Sequence, residues 1–228
     1  MSTSKVHHIY IIGSRAREPE RIQYLEDYFS ASSVDIPVSY FQPTYKDHLS
    51  SDEIQMFFTI MPHHHRAFKL SEMSVFLNFY YLFQQVAEKF SDGYVLILES
   101  DVRFEGCLAE YLESLTFFLE TQHPDGCSLG SGCDLIDDNI DTNDMSLQIA
   151  KKPVMRCMDT LLFSVHGIRK LLDYMDKYGR FDEPIDNFID TYLKNQGKDE
   201  FSFYWIWPSI TLQGSQYGHY PSTIQDDS

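Results

Sequence analysis

The sequence lacks the segments that place a chain in or across a membrane. No run approaches the ~18 to 20 apolar residues needed to span a bilayer. The N-terminal apolar patch, Val6 to Ile12, contains two histidines and is not followed by a small-residue cleavage site. We interpret it as a first strand rather than a signal peptide, and we expect a cytoplasmic protein. Internal repeats and linkers are also missing, so residues 1–228 are expected to form a single domain.

Positive charge is scarce. Lys and Arg number 18 against 34 Asp and Glu, which gives a formal net charge of −16. This balance argues against nucleic acids and anionic membrane surfaces as partners. An enzyme this acidic that handles a pyrophosphate is expected to need a divalent cation to hold it.

Cysteine is too sparse for a disulfide framework and has no CxxC spacing, which predicts buried free thiols. The four residues are Cys107, Cys127, Cys133 and Cys157. The tract His63-His64-His65 follows Pro62. Adjacent side chains point in different directions, so a solvated loop is favoured there over a metal site.

Hydrophobic periodicity is present along most of the chain and alternates between strand and helix. Strands are predicted at Val6–Ile12, Ile36–Phe41, Tyr94–Leu98 and Asp159–Val165. Helices are predicted from Pro19 and Pro184 onward and over Met73–Tyr81, Leu108–Leu115 and Ile168–Met175. Residues 42–69 and the acidic stretch Gly126–Asp144 are predicted to be irregular. This alternation favours an α/β sheet with helices on both faces.

Two carboxylates follow the most apolar strand, in the tripeptide Glu99-Ser100-Asp101. Ligands of open α/β sheets bind beyond the carboxyl ends of the strands. In an extended segment Glu99 and Asp101 face one side and Ser100 faces away. Paired carboxylates suit Mg²⁺ or Mn²⁺ with open positions for phosphate oxygens. Taken alone, the tripeptide equally fits a strand that simply ends in polar residues.

Six segments of the chain follow patterns that occur together in one enzyme family, in the same order as along this chain. VLILESDV (Val95 to Val102) is similar to L-I-L-E-D-D-V, and LSEMSVFLNFYYLFQQV (Leu70 to Val86) to L-x-x-G-E-I-G-C-x-L-S-H. The others are IYIIGSRAREPERI, DTLLFSVHGIRKLL, EPIDNFI and PSITLQGSQYGHYPSTI. Through them the chain resembles glycosyltransferase family 25, the lipooligosaccharide and collagen hydroxylysine galactosyltransferases. The chain departs from the family at Ser100 in the acidic triplet, at Ser71 and Ser74 in place of Gly, and at Phe79 in place of His.

The resemblance implies a GT-A type fold, with a Rossmann-like mixed sheet flanked by helices. It implies transfer of a hexose, galactose or glucose, from a nucleotide sugar (UDP-hexose) to a glycan or glycoprotein hydroxyl, with inversion. Mn²⁺ or Mg²⁺ is the implied cofactor. A compact, divergent member suits a bacterial surface-glycan pathway, or a large DNA virus whose enzyme acts in the host cytoplasm.

The resemblance also assigns roles to individual residues. The metal ligands it implies are Asp101, Glu99 and His219. The donor-binding residues it implies are Gly13, Ser14, Arg15, Ser71, Glu72, Asn78, Glu99 and Ser100. Asp186 is the expected catalytic base, and Asp159 is the second candidate. Arg21 fits either a phosphate contact or a solvent-facing helix position.

Each of these assignments has a simpler alternative. Ser71, Glu72 and Asn78 also fit an N-terminal cap and a solvated helix face. Asp186 also fits a carboxylate that stabilises a helix start, and His219 fits a surface histidine. The acidic loop from Asp134 to Asp144 is expected to be solvated or to gate the acceptor. At the level of the whole protein, the competing functions are a metal-dependent nucleotidyltransferase or phosphohydrolase and a non-catalytic carbohydrate- or protein-binding module.

Overall fold

The computed structural model describes residues 5–59, 68–155, 157–195 and 200–221, and within them it contains nine strands. They are β1 (Val6–Ile12), β2 (Val38–Phe41), β3 (Tyr94–Glu99), β4 (Val102–Phe104), β5 (Gly126–Ser128), β6 (Gln148–Lys151), β7 (Thr160–Ser164), β8 (Phe203–Trp207) and β9 (Thr211–Gln213). Seven of them form the main sheet, and β4 and β9 form a separate antiparallel ribbon.

Six α-helices connect these strands within the described residues. They are α1 (Pro19–Ala31), α2 (Ser51–Phe57), α3 (Leu70–Lys89), α4 (Leu108–Gln122), α5 (Val165–Tyr178) and α6 (Ile185–Asn195). Throughout the described ranges, none of the helices combines the length and apolarity that a bilayer span requires.

The main sheet is mixed, with the order β2-β1-β3-β7-β5-β8-β6. Strand β1 runs parallel to both β2 and β3, whereas β7 runs antiparallel to β3. Ile12 at the end of β1 pairs with Glu99 at the end of β3. The carboxyl ends of these two parallel strands therefore meet at one edge of the sheet, where ligands of such sheets bind.

Helices cover both faces of the sheet, as the alternation predicted. Alternate residues of β3 and β7, such as Ile97 and Phe163, pack with α3, α5 and α6 in one apolar layer. The intervening residues, such as Leu96 and Leu162, pack with α1 and α4 in the other. Side chains of successive strand residues point to opposite faces, so each buried strand contributes to both layers. The expected Rossmann-like mixed sheet is confirmed.

The prediction that Gly126–Asp144 is irregular was wrong at the start of this stretch. Gly126–Ser128 is the buried strand β5, between β7 and β8. A Cβ atom on Gly126 would lie 2.8 Å from the Phe163 ring and 2.9 Å from the Phe203 ring. A glycine is required there by side chains from distant strands, so strand propensity gives no local signal.

Three other stretches differ from the predicted elements. Residues 42–69 were expected to be irregular, but they contain α2, which begins with a reciprocal cap between Ser50 and Glu53. The predicted strand Ile36–Phe41 begins only at Val38, after Pro37. The aromatic segment that begins at Phe201, for which no element was predicted, forms β8, next to β5 and β6.

Cys107, Cys127 and Cys157 form no disulfide, as expected. Cys127 is buried, whereas the other two are only half-buried. The side chain of Cys133 and the tract His63–His65 lie outside the described residues.

Candidate active site

A cavity of about 430 Å³ opens beyond the carboxyl ends of β1 and β3. Charged side chains of both signs and a tyrosine are part of its described lining. They are Glu18, Asp47, Glu99, Asp101, Arg17, Arg21, Lys46 and Tyr45. The place where the sequence predicted a ligand site is therefore a real concavity that contains charges of both signs.

Glu99, Ser100 and Asp101 all line this cavity, which corrects the expectation that Ser100 faces away. Strand β3 ends at Glu99, and the next two residues form a turn. The alternation of an extended strand does not continue through a turn. Ser100 Oγ donates a hydrogen bond of 2.9 Å to Glu18 Oε1.

Gly13 allows the β1 and β3 ends to approach each other closely. A Cβ atom there would lie 2.6 Å from Ser100 Cβ and 3.0 Å from Ile22 Cδ1. Gly13 was predicted to contact the donor nucleotide, and the structure gives it this packing role. Ser14 next to it is buried, and its backbone N–H donates to Glu18 Oε2 at 3.2 Å.

The carboxyl groups near the end of β3 influence one another. Burial raises the pKa of Glu99 well above its usual range, and the charges of Asp101, Asp159 and Asp186 raise it further. Arg21 acts in the opposite direction. A group of like charges in a poorly solvated place is stabilised by a cation held between them.

Asp101 is buried and is held by the segment that follows β9. Ser215 Oγ donates to Asp101 Oδ2, and Gly214 N donates to the Asp101 main-chain oxygen at 2.7 Å. Ser215 and Gln213 also line the cavity. Residues near the C-terminal end of the described chain thus close one side of the site.

Glu18 is a central residue of the site that the sequence reading missed. Only 10% of its side chain is exposed, and its carboxylate accepts four hydrogen bonds. The donors are Ser14 N, Ser100 Oγ, Arg21 Nη1 (3.1 Å) and Tyr45 OH (3.1 Å). An acidic residue immediately before Pro19 at a helix start was the only local signal.

Arg21 is buried, so the solvent-facing alternative for it was wrong. Besides Glu18, its guanidinium contacts Ser100 and the Pro221 carbonyl, and it lies 5.3 Å from the centroid of the Tyr220 ring. Glu18 therefore fixes the position of a cation at the cavity wall.

A second cation, Arg17, lies at the exposed rim of the cavity. It pairs with Asp47 and stacks over the Tyr45 ring, with 4.7 Å between Cζ and the ring centroid. Burial raises the pKa of Tyr45, as does the neighbouring charge of Glu18. Tyr45 therefore remains a neutral hydrogen-bond donor beside the cations.

The polar side of α3 is buried, so its interpretation as a solvated face was wrong. Asn78 Oδ1 accepts from Thr44 N at 2.7 Å, and its Nδ2 donates to Thr44 O at 3.3 Å. Ser74 Oγ donates to the same carbonyl. These contacts fix the segment after β2 at the edge of the cavity.

Ser71 and Glu72, also on α3, do not contact the segment after β2 in this way. Ser71 lines the cavity, and its hydroxyl, itself shielded from solvent, has no hydrogen-bond partner among the described residues. Glu72 accepts a hydrogen bond of 3.0 Å from Lys69 N and caps the helix, as its simpler interpretation held.

The described cavity lining lacks seven of the predicted site residues: Gly13, Ser14, Arg15, Glu72, Asp159, Asp186 and His219. Arg15 is exposed and pairs with Glu26 on α1, and His219 is exposed. Asp159 is fully buried beneath Gly130. Asp186 lies in the first turn of α6, and its charge reaches Glu99. Across the described ranges, no three His, Cys, Asp or Glu side chains group closely enough to form a metal site by themselves.

Neither a protein-family profile nor a curated protein sequence matches this chain. Among solved structures it is similar to the glycosyltransferase GlyE of Streptococcus pneumoniae TIGR4, with 14% identity over 88% of this chain and a TM-score of 0.42. The apo form of GlyE gives the same identity and coverage with a TM-score of 0.44. The chain spans 45% of the length of these structures. The likeness is too low for a function to be transferred from it.

Proposed function

We propose that this protein is a metal-dependent glycosyltransferase that moves a hexose from a UDP-sugar to a hydroxyl of a glycan or glycoprotein, with inversion. The observation that carries the proposal is the meeting of Glu99, Asp101 and Arg21 in one cavity beyond β1 and β3. Such a site offers carboxylates to a cation and a guanidinium to a phosphate.

The residues present fit a divalent cation such as Mn²⁺ or Mg²⁺. Glu99 and Asp101 both reach the cavity, and Ser215 adds a hydroxyl beside Asp101. Mg²⁺ is typically bound through one or two carboxylates together with substrate phosphates, so a complete protein cage is not required. When bound, the cation would stabilise negative charge on the departing nucleoside diphosphate.

The chain's own cations would orient the donor. Arg21 is held in place by Glu18 and would contact a phosphate oxygen from the cavity wall. Lys46 and Arg17 line the same cavity near the rim. Because Glu18 and Ser100 hold the guanidinium before the donor binds, little ordering is left to occur on binding.

Asp186 remains our candidate for the base that accepts the proton of the acceptor hydroxyl. It lies near the carboxylate cluster, since its charge raises the pKa of Glu99, but outside the described cavity lining. A general base must come within hydrogen-bond reach of that hydroxyl when the acceptor binds. Asp159 is the weaker candidate because it is fully buried.

A panel of nucleotide sugars with Mn²⁺, scored for slow donor hydrolysis, tests the proposal. We expect one UDP-hexose to be hydrolysed by the wild type and not by Asp101→Ala. If no donor is hydrolysed or bound, or if Asp101→Ala behaves as wild type, the proposal fails.

A thermal-shift measurement with UDP and Mn²⁺ separates this proposal from a non-catalytic module. The transferase should gain several degrees in Tm with UDP and Mn²⁺ together. An unchanged Tm, combined with a rise in Tm on adding a glycan alone, would favour the binding module.

A further inference from the structure

A second cavity, of about 580 Å³, lies on the other side of the β4–β9 ribbon. On β9, Gln213 lines the first cavity, whereas its neighbour Leu212 lines the second. Successive strand residues face opposite sides, so the ribbon forms a wall between the two cavities. None of the residues proposed to bind the donor lines the second cavity.

Its wall is aromatic and apolar. Tyr111, Trp207 and Tyr217 contribute rings. Ile136, in the acidic loop, and Met145, directly after it, line the cavity although they are 41% and 67% exposed. An apolar concavity of this size, with a few polar groups, is typical of ligand-binding sites.

Three hydroxyl groups of this cavity are already used inside the protein. Tyr111 OH donates to Pro208 O at 2.8 Å, and Ser209 Oγ donates to Gly130 O at 3.1 Å. Tyr217 OH donates to Asp134. The indole nitrogen of Trp207 is shielded from solvent and has no hydrogen-bond partner among the described residues.

Two acceptors remain available to a ligand. The carboxylates of Glu105 and Glu110 line the cavity and are exposed, and no described residue pairs with either of them. No Lys, Arg or His occurs among the described residues that line it. The cavity therefore offers carboxylate acceptors and no cationic donor among these residues, and it repels anions such as nucleotides.

We propose that the second cavity binds a Lys or Arg side chain of a basic peptide segment. Ammonium and guanidinium groups are pure donors, which matches a rim of carboxylates. Their alkyl stems pack on apolar walls, and their charges are attracted to aromatic faces. A neutral sugar matches less well, because its hydroxyls also need donors. That this peptide belongs to the acceptor rests on the proposed function, whereas the binding itself does not.

Peptide binding by the full chain tests this site directly. The probe is an acetylated and amidated Gly-Arg-Gly-Arg-Gly peptide, compared with its Gln-for-Arg counterpart and with maltotriose, by isothermal titration at low salt. We expect the Arg peptide to bind, the Gln peptide to bind at least about threefold more weakly, and maltotriose not to bind.

Matched double variants separate this site from the general attraction of an acidic protein for cations. Glu105→Gln with Glu110→Gln should weaken binding of the Arg peptide at least about threefold. Glu88→Gln with Glu113→Gln removes the same charge from exposed helix positions outside the cavity, and it should change binding less than about twofold. All four positions are exposed, so neither variant should impair folding.

Equal weakening by both double variants would overturn the proposal, and so would binding of maltotriose in place of the Arg peptide. UDP–Mn²⁺ thermal shifts on the same samples keep the two proposals distinguishable. Peptide binding without a UDP shift supports this site and contradicts the proposed function.

Discussion

Two acidic regions of this molecule use carboxylate side chains in opposite ways. In the loop from Asp134 to Asp144, Asp137, Asp141 and Asp144 each accept a hydrogen bond from the backbone N–H two residues later. These are local turns, closed by the residue's own neighbours in sequence. Around the first cavity, Glu99 and Asp101 sit among other carboxylates and face a concavity instead.

The difference teaches that the density of carboxylates in a sequence does not locate a site. The loop is the most acidic stretch of the chain, yet three of its five acids stabilise local turns. The cavity cluster brings together acids that are far apart in sequence, and their charges disfavour one another unless something compensates them. The following predictions test this contrast, beginning with the largest expected effect.

Replacing one carboxylate in each region should give the largest difference in activity between the two regions. Asp101→Asn keeps the shape but removes the charge, and it should lower UDP-sugar hydrolysis with Mn²⁺ by at least about 100-fold. Asp144→Asn, in the loop, should retain activity within about twofold. Comparable losses in the two variants would mean that the cavity cluster has no special role.

Glu18→Gln should destabilise the fold strongly, because it leaves the buried Arg21 without its charged partner. We expect the free energy of unfolding in urea to fall by about 3 kcal/mol. The matched change Glu26→Gln breaks the pair with Arg15, which is 55% exposed, and should cost about 0.5 kcal/mol. Similar costs for both would show that Glu18 does not hold Arg21 in place.

Gly13→Ala should disturb the packing that brings the β1 and β3 ends together. Its new Cβ would lie 2.6 Å from Ser100 Cβ, which should cost about 2 kcal/mol of unfolding free energy. Gly106→Ala is the control, since the nearest atom to its new Cβ, Ile210 Cδ1, is 3.6 Å away. A Gly13→Ala variant as stable as the control would contradict the close approach.

Asp137 differs from its neighbour Asp138 in the loop, because it is buried and pairs with Lys152. The hydrogen bond from Lys152 and that from the Asn139 backbone lower the pKa of Asp137. A lowered folded-state pKa contributes stability above the unfolded value of about 3.9, and this contribution disappears as the pH falls through the folded-state value.

Asp137→Asn should therefore reduce the free energy of unfolding by about 1 kcal/mol at pH 7 and by progressively less below about pH 4. Urea unfolding at pH 7, 5 and 3 measures this difference. Asp138→Asn changes an exposed neighbour, and its free energy of unfolding should match that of the wild type at all three pH values. A difference that stays constant with pH would show that the charge of Asp137 is not involved.

Local patterns in the sequence were sufficient for most of the regular structure. The elements β1, α1, α3, β3, β7, α5 and α6 were found because apolar periodicity and helix-starting prolines depend only on near neighbours. The position of Glu99 and Asp101 beyond a buried strand followed from the same patterns. Sequence order alone also placed helices on both faces of the sheet.

The tertiary structure decided what no local pattern encodes. Strand β5 lies against two distant phenylalanine rings, which leave room only for a glycine at position 126. Glu18 and Ser100 are 82 positions apart, and their contact depends on the pairing of β1 with β3. Burial of Arg21 and of the polar side of α3 was likewise set by segments that arrive from elsewhere in the chain. Periodicity reports which side of an element is apolar, whereas a site depends on which elements meet and on how far water is excluded between them.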